Sequence, residues 1–141
     1  MSSYLDTSLV VTALTNEQRT PDVLAWLKRQ RSIPLCISEW VTTEFSAALS
    51  IKQRVGTLDY TSRAATLQKF KEFVSTGVEV LAVETQHFRE AALFADQYAL
   101  GLCAGDALHL AIASSHAAAL YTLEERLANA GLTLGVKAVL L

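Results

Sequence analysis

Between Ala104 and Ala119 the chain reads AGDALHLAIASSHAAA, small and apolar on nearly every side and free of proline. A helix that is hydrophobic all round has no face to offer water, so it must lie inside the molecule. The 141 residues suffice to enclose such a helix in one core, and residues 1–141 are read as a single domain. What covers the helix is suggested by the rest of the sequence. Short apolar runs, SYLDTS, IPLCIS, VEVLAV, ALYT and VKAVLL, alternate with longer stretches of helical character. The runs are continuously apolar instead of alternating, as strands covered on both faces are. Strand–helix alternation of this kind predicts an α/β domain with a mostly parallel sheet.

The helix ends are marked. SLVVTALTN is expected to start after Thr7 or Ser8 as cap. In TPDVLAWLKRQR, Thr20 is the expected cap, Pro21 the first helical residue and Asp22 an acid at the positive end. Ser38 is expected to cap a long helix that stops at Gly56. A further helix carries Ala64, Leu67, Phe70 and Val74 at helical spacing before Gly77. Thr85 is expected to cap one that ends at Gly101.

Composition narrows the class. Half the residues are apolar, 18% are charged and the mean hydropathy is +0.27, which points to surface hidden in a homodimer or another partner. No apolar run approaches the roughly 20 residues that span a bilayer. No basic leader precedes Asp6, so no signal peptide is expected and the protein is read as cytoplasmic. Cys36 and Cys103 make neither a disulfide framework nor a zinc site, and both are expected to be reduced and buried. A net charge of −2 provides no global attraction for nucleic acid, so any contact with it must be local.

In open parallel sheets ligands bind beyond the carboxyl ends of the strands. Four acidic residues fall in apolar or cap-like surroundings where that edge is expected: Asp6 in YLDTSLVV, Glu44 in VTTEFSAAL, Asp106 in AGDALHLA and Glu124 in YTLEERL. Singly each has a bland explanation. Asp6 would cap a helix, Glu44 would sit on an exposed helix face, and Asp106 and Glu124 would be first-turn acids favoured by the helix dipole. Jointly they are harder to dismiss, because unpaired carboxylates crowded in a buried place need a cation among them. Oxygen-only ligands favour Mg²⁺ or Mn²⁺, which suits hydrolysis at phosphorus.

The same segments resemble PIN-domain proteins of the VapC toxin type over essentially the whole chain. YLDTSLVV resembles the family's opening strand, SEWVTTEFSAAL its glutamate-bearing helix, and YALGLCAGDALHLAIA its DALHLA segment. LYTLEERLANAGLTLGV resembles the closing segment, with Glu124 where that segment usually has aspartate. The resemblance implies a three-layer α/β/α PIN-like domain with a short, mostly parallel central sheet. It implies a Mg²⁺- or Mn²⁺-dependent ribonuclease acting on RNA, the toxin of a toxin–antitoxin pair, dimeric and neutralised by a small antitoxin. Asp6, Asp106, Glu44 and Glu124 would be its catalytic and metal-binding residues, with Ser8 and Thr122 hydrogen-bonding the carboxylates or a metal-bound water.

His109, one turn after Asp106, is expected to be a packed histidine bonded to the backbone, and His87 and His116 to be surface or cap residues. Trp26, Trp40, Phe70 and Phe94 are read as core or dimer surface. Lys28, Arg29, Arg31, Lys52, Arg54, Arg63, Lys69 and Lys71 are candidate phosphate contacts, although helix C-terminal charges explain most of them. A phospho-acceptor signalling domain is the rival α/β reading, supported by Thr122 and Lys137 but lacking paired acids after the first strand. A haloacid-dehalogenase-type phosphatase would need an acid at position 8, where Ser8 stands. A catalytically dead binding module on the same fold is the third alternative.

Overall fold

The computed structural model describes Met1–Leu141. Its elements run β1 (Ser3–Leu5), α1 (Thr7–Leu14), α2 (Thr20–Arg29), β2 (Leu35–Ser38), α3 (Glu39–Arg54), α4 (Tyr60–Ser75), β3 (Glu79–Leu81), α5 (Thr85–Ala95), a 3-10 turn (Tyr98–Leu100), α6 (Ala104–Ser115), β4 (Ala119–Thr122), α7 (Glu125–Leu134) and β5 (Ala138–Leu140). The five strands form one sheet in the order β3-β2-β1-β4-β5, and every pairing is parallel.

Parallel neighbours need crossover helices, and crossovers are right-handed. From β1 the chain moves outward to β2 and β3, then returns past β1 to β4 and β5. The helices before β3 therefore cover one face and those after it the other, giving three layers. No helix is long and apolar enough to cross a membrane.

The all-apolar stretch behaves as its composition requires. Ala107 through Ala113 on α6 are all buried, and they join the core made by Tyr4, Leu5, Ile37 and Leu120 from the strands. Phe45 and Phe70 stack at 4.5 Å to close the α3–α4 side. Gly131 lets α7 come down onto β5: a Cβ there would lie 2.5 Å from the Ala138 Cβ.

Several helix ends differ from expectation. Asp6, and not Thr7 or Ser8, caps α1 by accepting from the Leu9 amide. A carboxylate is the stronger acceptor for an orphan N–H, and its charge suits the helix N-terminus. Thr20 lies inside α2; its hydroxyl turns back to the carbonyls of Thr12 and Thr15. Ser38 stands at the cap of α3 but its hydroxyl bonds Tyr4. Glu84, not Thr85, stands at the cap of α5, where its amide donates to His87 Nδ1 at 2.9 Å. That helix ends at Ala95, and Gly101, at φ +64°, closes the separate 3-10 turn.

Candidate active site

The chain direction reverses between β1 and β4, where a doubly wound sheet opens a crevice at its carboxyl edge. The register pairs Leu5 with Tyr121, so the next residues, Asp6 and Thr122, face one another across that point. Asp6 is 3% exposed. The Thr122 hydroxyl donates to its Oδ2 at 2.6 Å, the Ser8 hydroxyl to its Oδ1 at 2.7 Å and the Leu9 amide to Oδ1 at 3.1 Å. The same two hydroxyls accept from the next loop, Ser8 from the Leu123 amide at 3.2 Å and Thr122 from the Glu124 amide at 2.9 Å. Asp6 thus ties the start of α1 to the start of α7.

All these donors are neutral, and Asp6 has no ion-pair partner. Burial pushes its carboxyl above the ordinary aspartate value. The Thr122 bond, the charge of His109 and the bonds from Ser8 and Leu9 offset only part of that.

Glu44 reaches the same region from α3. Its Oε1 accepts from the Thr7 hydroxyl at 2.6 Å and pairs with His109 Nε2 at 2.5 Å. Burial raises the Glu44 carboxyl most, but the bond and charge of His109 and the Thr7 bond together outweigh it, and the net shift is downward. His109 bonds no backbone group, contrary to expectation. Its Nδ1 meets the Tyr4 hydroxyl at 2.8 Å, and that hydroxyl also meets Ser38 at 2.8 Å. Burial holds the Tyr4 phenol far above its usual range, so Tyr4 is a neutral link. With His109 Nε2 at Glu44, the ring's two nitrogens are both committed, and Glu44 is held by a chain of buried side chains.

The other oxygen, Oε2, lies against α6. A Cβ on Gly105 would stand 2.9 Å from it and 3.5 Å from the Trp40 indole nitrogen. That nitrogen is buried and has no hydrogen-bond partner.

Asp106 and Glu124 are placed differently. Asp106 is half-buried in the first turn of α6, beside the Cys103 thiol. Glu124 is exposed at the cap of α7. Neither carboxylate receives a hydroxyl or amide bond like those on Asp6. Together they line a cleft of about 690 Å³, and Glu124 also borders a second cleft of about 420 Å³ that contains Thr7 and Ser8. The four carboxylates do not close into a single ligand set: no three Asp, Glu, His or Cys side chains are grouped to hold an ion. Both Asp6 oxygens and Glu44 Oε1 are engaged by hydroxyls, an amide and His109.

Other expectations need correction. Cys36 is buried, but Cys103 is exposed at the start of α6. His87 takes the capping role, one of the two expected of it, and does so buried, at 1% exposed. Lys52 is paired with Glu17 at 2.7 Å, and Arg63 bonds Gln53 and Ser50. Arg31 borders a hollow with Pro34 and Val78, at the edge where β2 and β3 begin, away from the carboxylates. Sequence reasoning gave Thr7 only a capping role and Tyr4 none. A threonine beside an acid is one signal for Thr7, whereas nothing local distinguishes Tyr4 from a core tyrosine.

The PIN domain family model matches residues 3–132. No curated protein matches the sequence. Among solved structures, the fold resembles VapBC2 from Rickettsia felis, bound to a DNA fragment from its promoter. The TM-score is 0.74 at 17% identity, covering 99% of this chain and 98% of that one. It resembles VapC20 of Mycobacterium tuberculosis, described as a sarcin-ricin loop cleaving toxin, with a TM-score of 0.73 at 16% identity over 92% and 95% of the two chains. It also resembles VapBC-1 from nontypeable Haemophilus influenzae, at 0.67 and 19% over 99% and 98%. At these identities the structures speak for the fold, while the family match spans nearly the whole sequence: the chain belongs to the PIN domain family.

Proposed function

We propose that this protein is a Mg²⁺- or Mn²⁺-dependent endoribonuclease, the toxin of a toxin–antitoxin pair. The observation that carries the reading is Asp6, a carboxylate buried at the reversal point of the sheet with neutral donors and no cation in contact. Such a group is costly unless a cation compensates it, and carboxylate oxygens suit a hard divalent ion. Asp6 and Asp106 would hold the ion, with Glu44 and Glu124 nearby. When bound, it would polarise a phosphoryl oxygen and lower the pKa of an attacking water. Ser8 and Thr122 fix the Asp6 carboxylate, and Thr7 and His109 fix Glu44. The open cleft along Asp106 and Glu124 admits an extended strand, and single-stranded regions are the accessible targets for sequence-specific recognition of RNA.

The likeness to the VapBC structures supports a cognate antitoxin as partner. Exposed Phe88, Leu93 and Tyr98 offer apolar surface for a homodimer or for that antitoxin. The reading is tested by incubating the purified protein with structured and single-stranded RNA. Cleavage is expected with Mg²⁺ or Mn²⁺ and none with EDTA; undiminished cleavage in EDTA would sink the metal mechanism. A PIN-fold module without catalysis is the second reading, favoured by the carboxylates' failure to group around one point. It predicts RNA or partner binding with no cleavage under any divalent ion.

A further inference from the structure

The cleft beside Asp106 and Glu124 has a second wall that takes no part in the carboxylate arrangement. Arg126, Asn129 and Thr133 line it. Their spacing along α7 puts them on one stripe of the helix, while Leu127, Ala128 and Gly131 turn into the core. Of the 12 lysines and arginines, Arg126 is the one that lines this cleft.

Arg126 is held without being neutralised. It has no carboxylate partner, and its Nη1 donates to the Gly101 carbonyl at 3.3 Å. The arginine stem packs over Gly101, whose Cβ position would lie at ordinary contact distance, 3.6 Å from Arg126 Cδ. The guanidinium therefore rests across bare backbone with its remaining N–H groups available. An RNA strand entering this cleft meets Asp106, Glu124 and Glu125, and the chain's net charge of −2 provides no wider attraction. A phosphate can settle among those acids only where a fixed cation offsets them, and a guanidinium matches phosphate oxygens in geometry as well as charge.

We propose that this cleft is the RNA-binding track, in which Arg126 anchors a substrate phosphate beside the bond that is cut. Asn129, one turn further along α7, hydrogen-bonds a base or ribose of the bound strand. Its amide both donates and accepts, so it discriminates between base edges where a lysine would not. Arg126 is a substrate anchor and has no part in the chemistry at phosphorus. This inference rests on the ribonuclease reading above.

The test uses the full-length protein and a pool of short, random-sequence single-stranded RNA. Cleavage is followed with Mg²⁺ over a range of salt concentrations, and binding by fluorescence anisotropy of the same RNA in EDTA. Arg126→Gln is expected to raise KM roughly tenfold with kcat nearly unchanged. The slope of log affinity against log salt is expected to become shallower by about 0.7, the loss of one phosphate contact on a single strand. Arg126→Lys is expected to restore the slope while leaving KM raised, which a purely structural role on the Gly101 loop would not produce. Asn129→Ala is expected to broaden the set of sequences cut. An Arg126→Gln protein with unchanged KM and unchanged salt slope, in a wild type that cleaves, overturns the inference and leaves the ribonuclease reading standing. A wild type that binds RNA through Arg126 but never cleaves it overturns the ribonuclease reading and keeps the track. A wild type that neither binds nor cleaves overturns both.

Discussion

The floor and the rim of the site are built on opposite principles. On the floor, both Asp6 oxygens and one Glu44 oxygen are taken up by hydroxyl, amide and imidazole contacts, and even their supports, Thr122 and His109, are themselves supported. On the rim, Asp106 and Glu124 project into open clefts with no comparable partners. A carboxylate enclosed by fixed donors keeps its position at the cost of burying charge. One on the rim bears little of that cost and relies on its helix for placement. The floor is thus where geometry is preset, and on the proposed reading the rim is where it would adapt to a bound strand.

The largest expected effect comes from removing the floor's charge. Asp6→Asn is expected to lower RNA cleavage by more than about a hundredfold, beyond the loss typical of a supporting contact. It is also expected to raise the melting temperature of the metal-free protein at pH 7. The sign follows from the raised Asp6 pKa. Relative to an ordinary unfolded value of about 3.9, a raised folded pKa adds stability that is complete below that value and is lost as pH rises through the folded one. Asparagine suffers no such loss, so the gap between the two proteins should narrow as thermal melts approach pH 4. A gap that stays constant with pH would show that Asp6 is not held above its usual range.

Thr122→Val comes next. It keeps the shape but strips a donor from Asp6 and an acceptor from the Glu124 amide, for roughly 1–3 kcal/mol of stability by urea titration. A tenfold to hundredfold loss of cleavage should accompany it. A Thr122→Val protein that cleaves at the wild-type rate would mean that Asp6 needs no positioning. Gly105→Ala drives a Cβ toward Glu44 Oε2, the oxygen that neither Thr7 nor His109 holds. About 1 kcal/mol of strain is expected, together with a drop in kcat that Glu44→Gln should not deepen if the two act through the same oxygen. Glu124→Ala should be the mildest, within about 0.5 kcal/mol in stability because the residue is exposed, with only a several-fold loss in cleavage. A loss as large as that of Asp6→Asn would erase the distinction between floor and rim.

The sequence carried the layered fold because each strand's apolar run and each helix's period state their own burial. The positions of Asp6 and Asp106 at helix starts were legible for a related reason, since each marks the junction between two such signals. Ser8 and Thr122 could be expected near the carboxylates, and their hydroxyls do reach Asp6. Partner choice was not legible. Tyr4 and His109 meet across 105 positions, and Glu44 and His109 across 65. A single chain records what each side chain can bond, and only the assembled sheet decides which of several donors arrives. The cap of α1 shows the same limit at short range: Asp6, Thr7 and Ser8 were all competent, but a tertiary contact gave Thr7 to Glu44, and Ser8 turned back to Asp6. Arg126 escaped notice because its place depends on Gly101, which lies across the cleft and 25 residues away.

The chain has only two tryptophans, and they sit in unlike settings. Trp26 packs on Tyr121 at 4.8 Å, within the core. Trp40 has its indole nitrogen buried, unpartnered and beside the Glu44–Gly105 contact. An excited indole responds to nearby charge and to new hydrogen bonds, so Trp40 is a native fluorophore at the site and Trp26 an internal reference. In a Trp26→Phe protein, the emission that remains would register cation or RNA arrival at the carboxylates directly, with no label added and no cleavage needed.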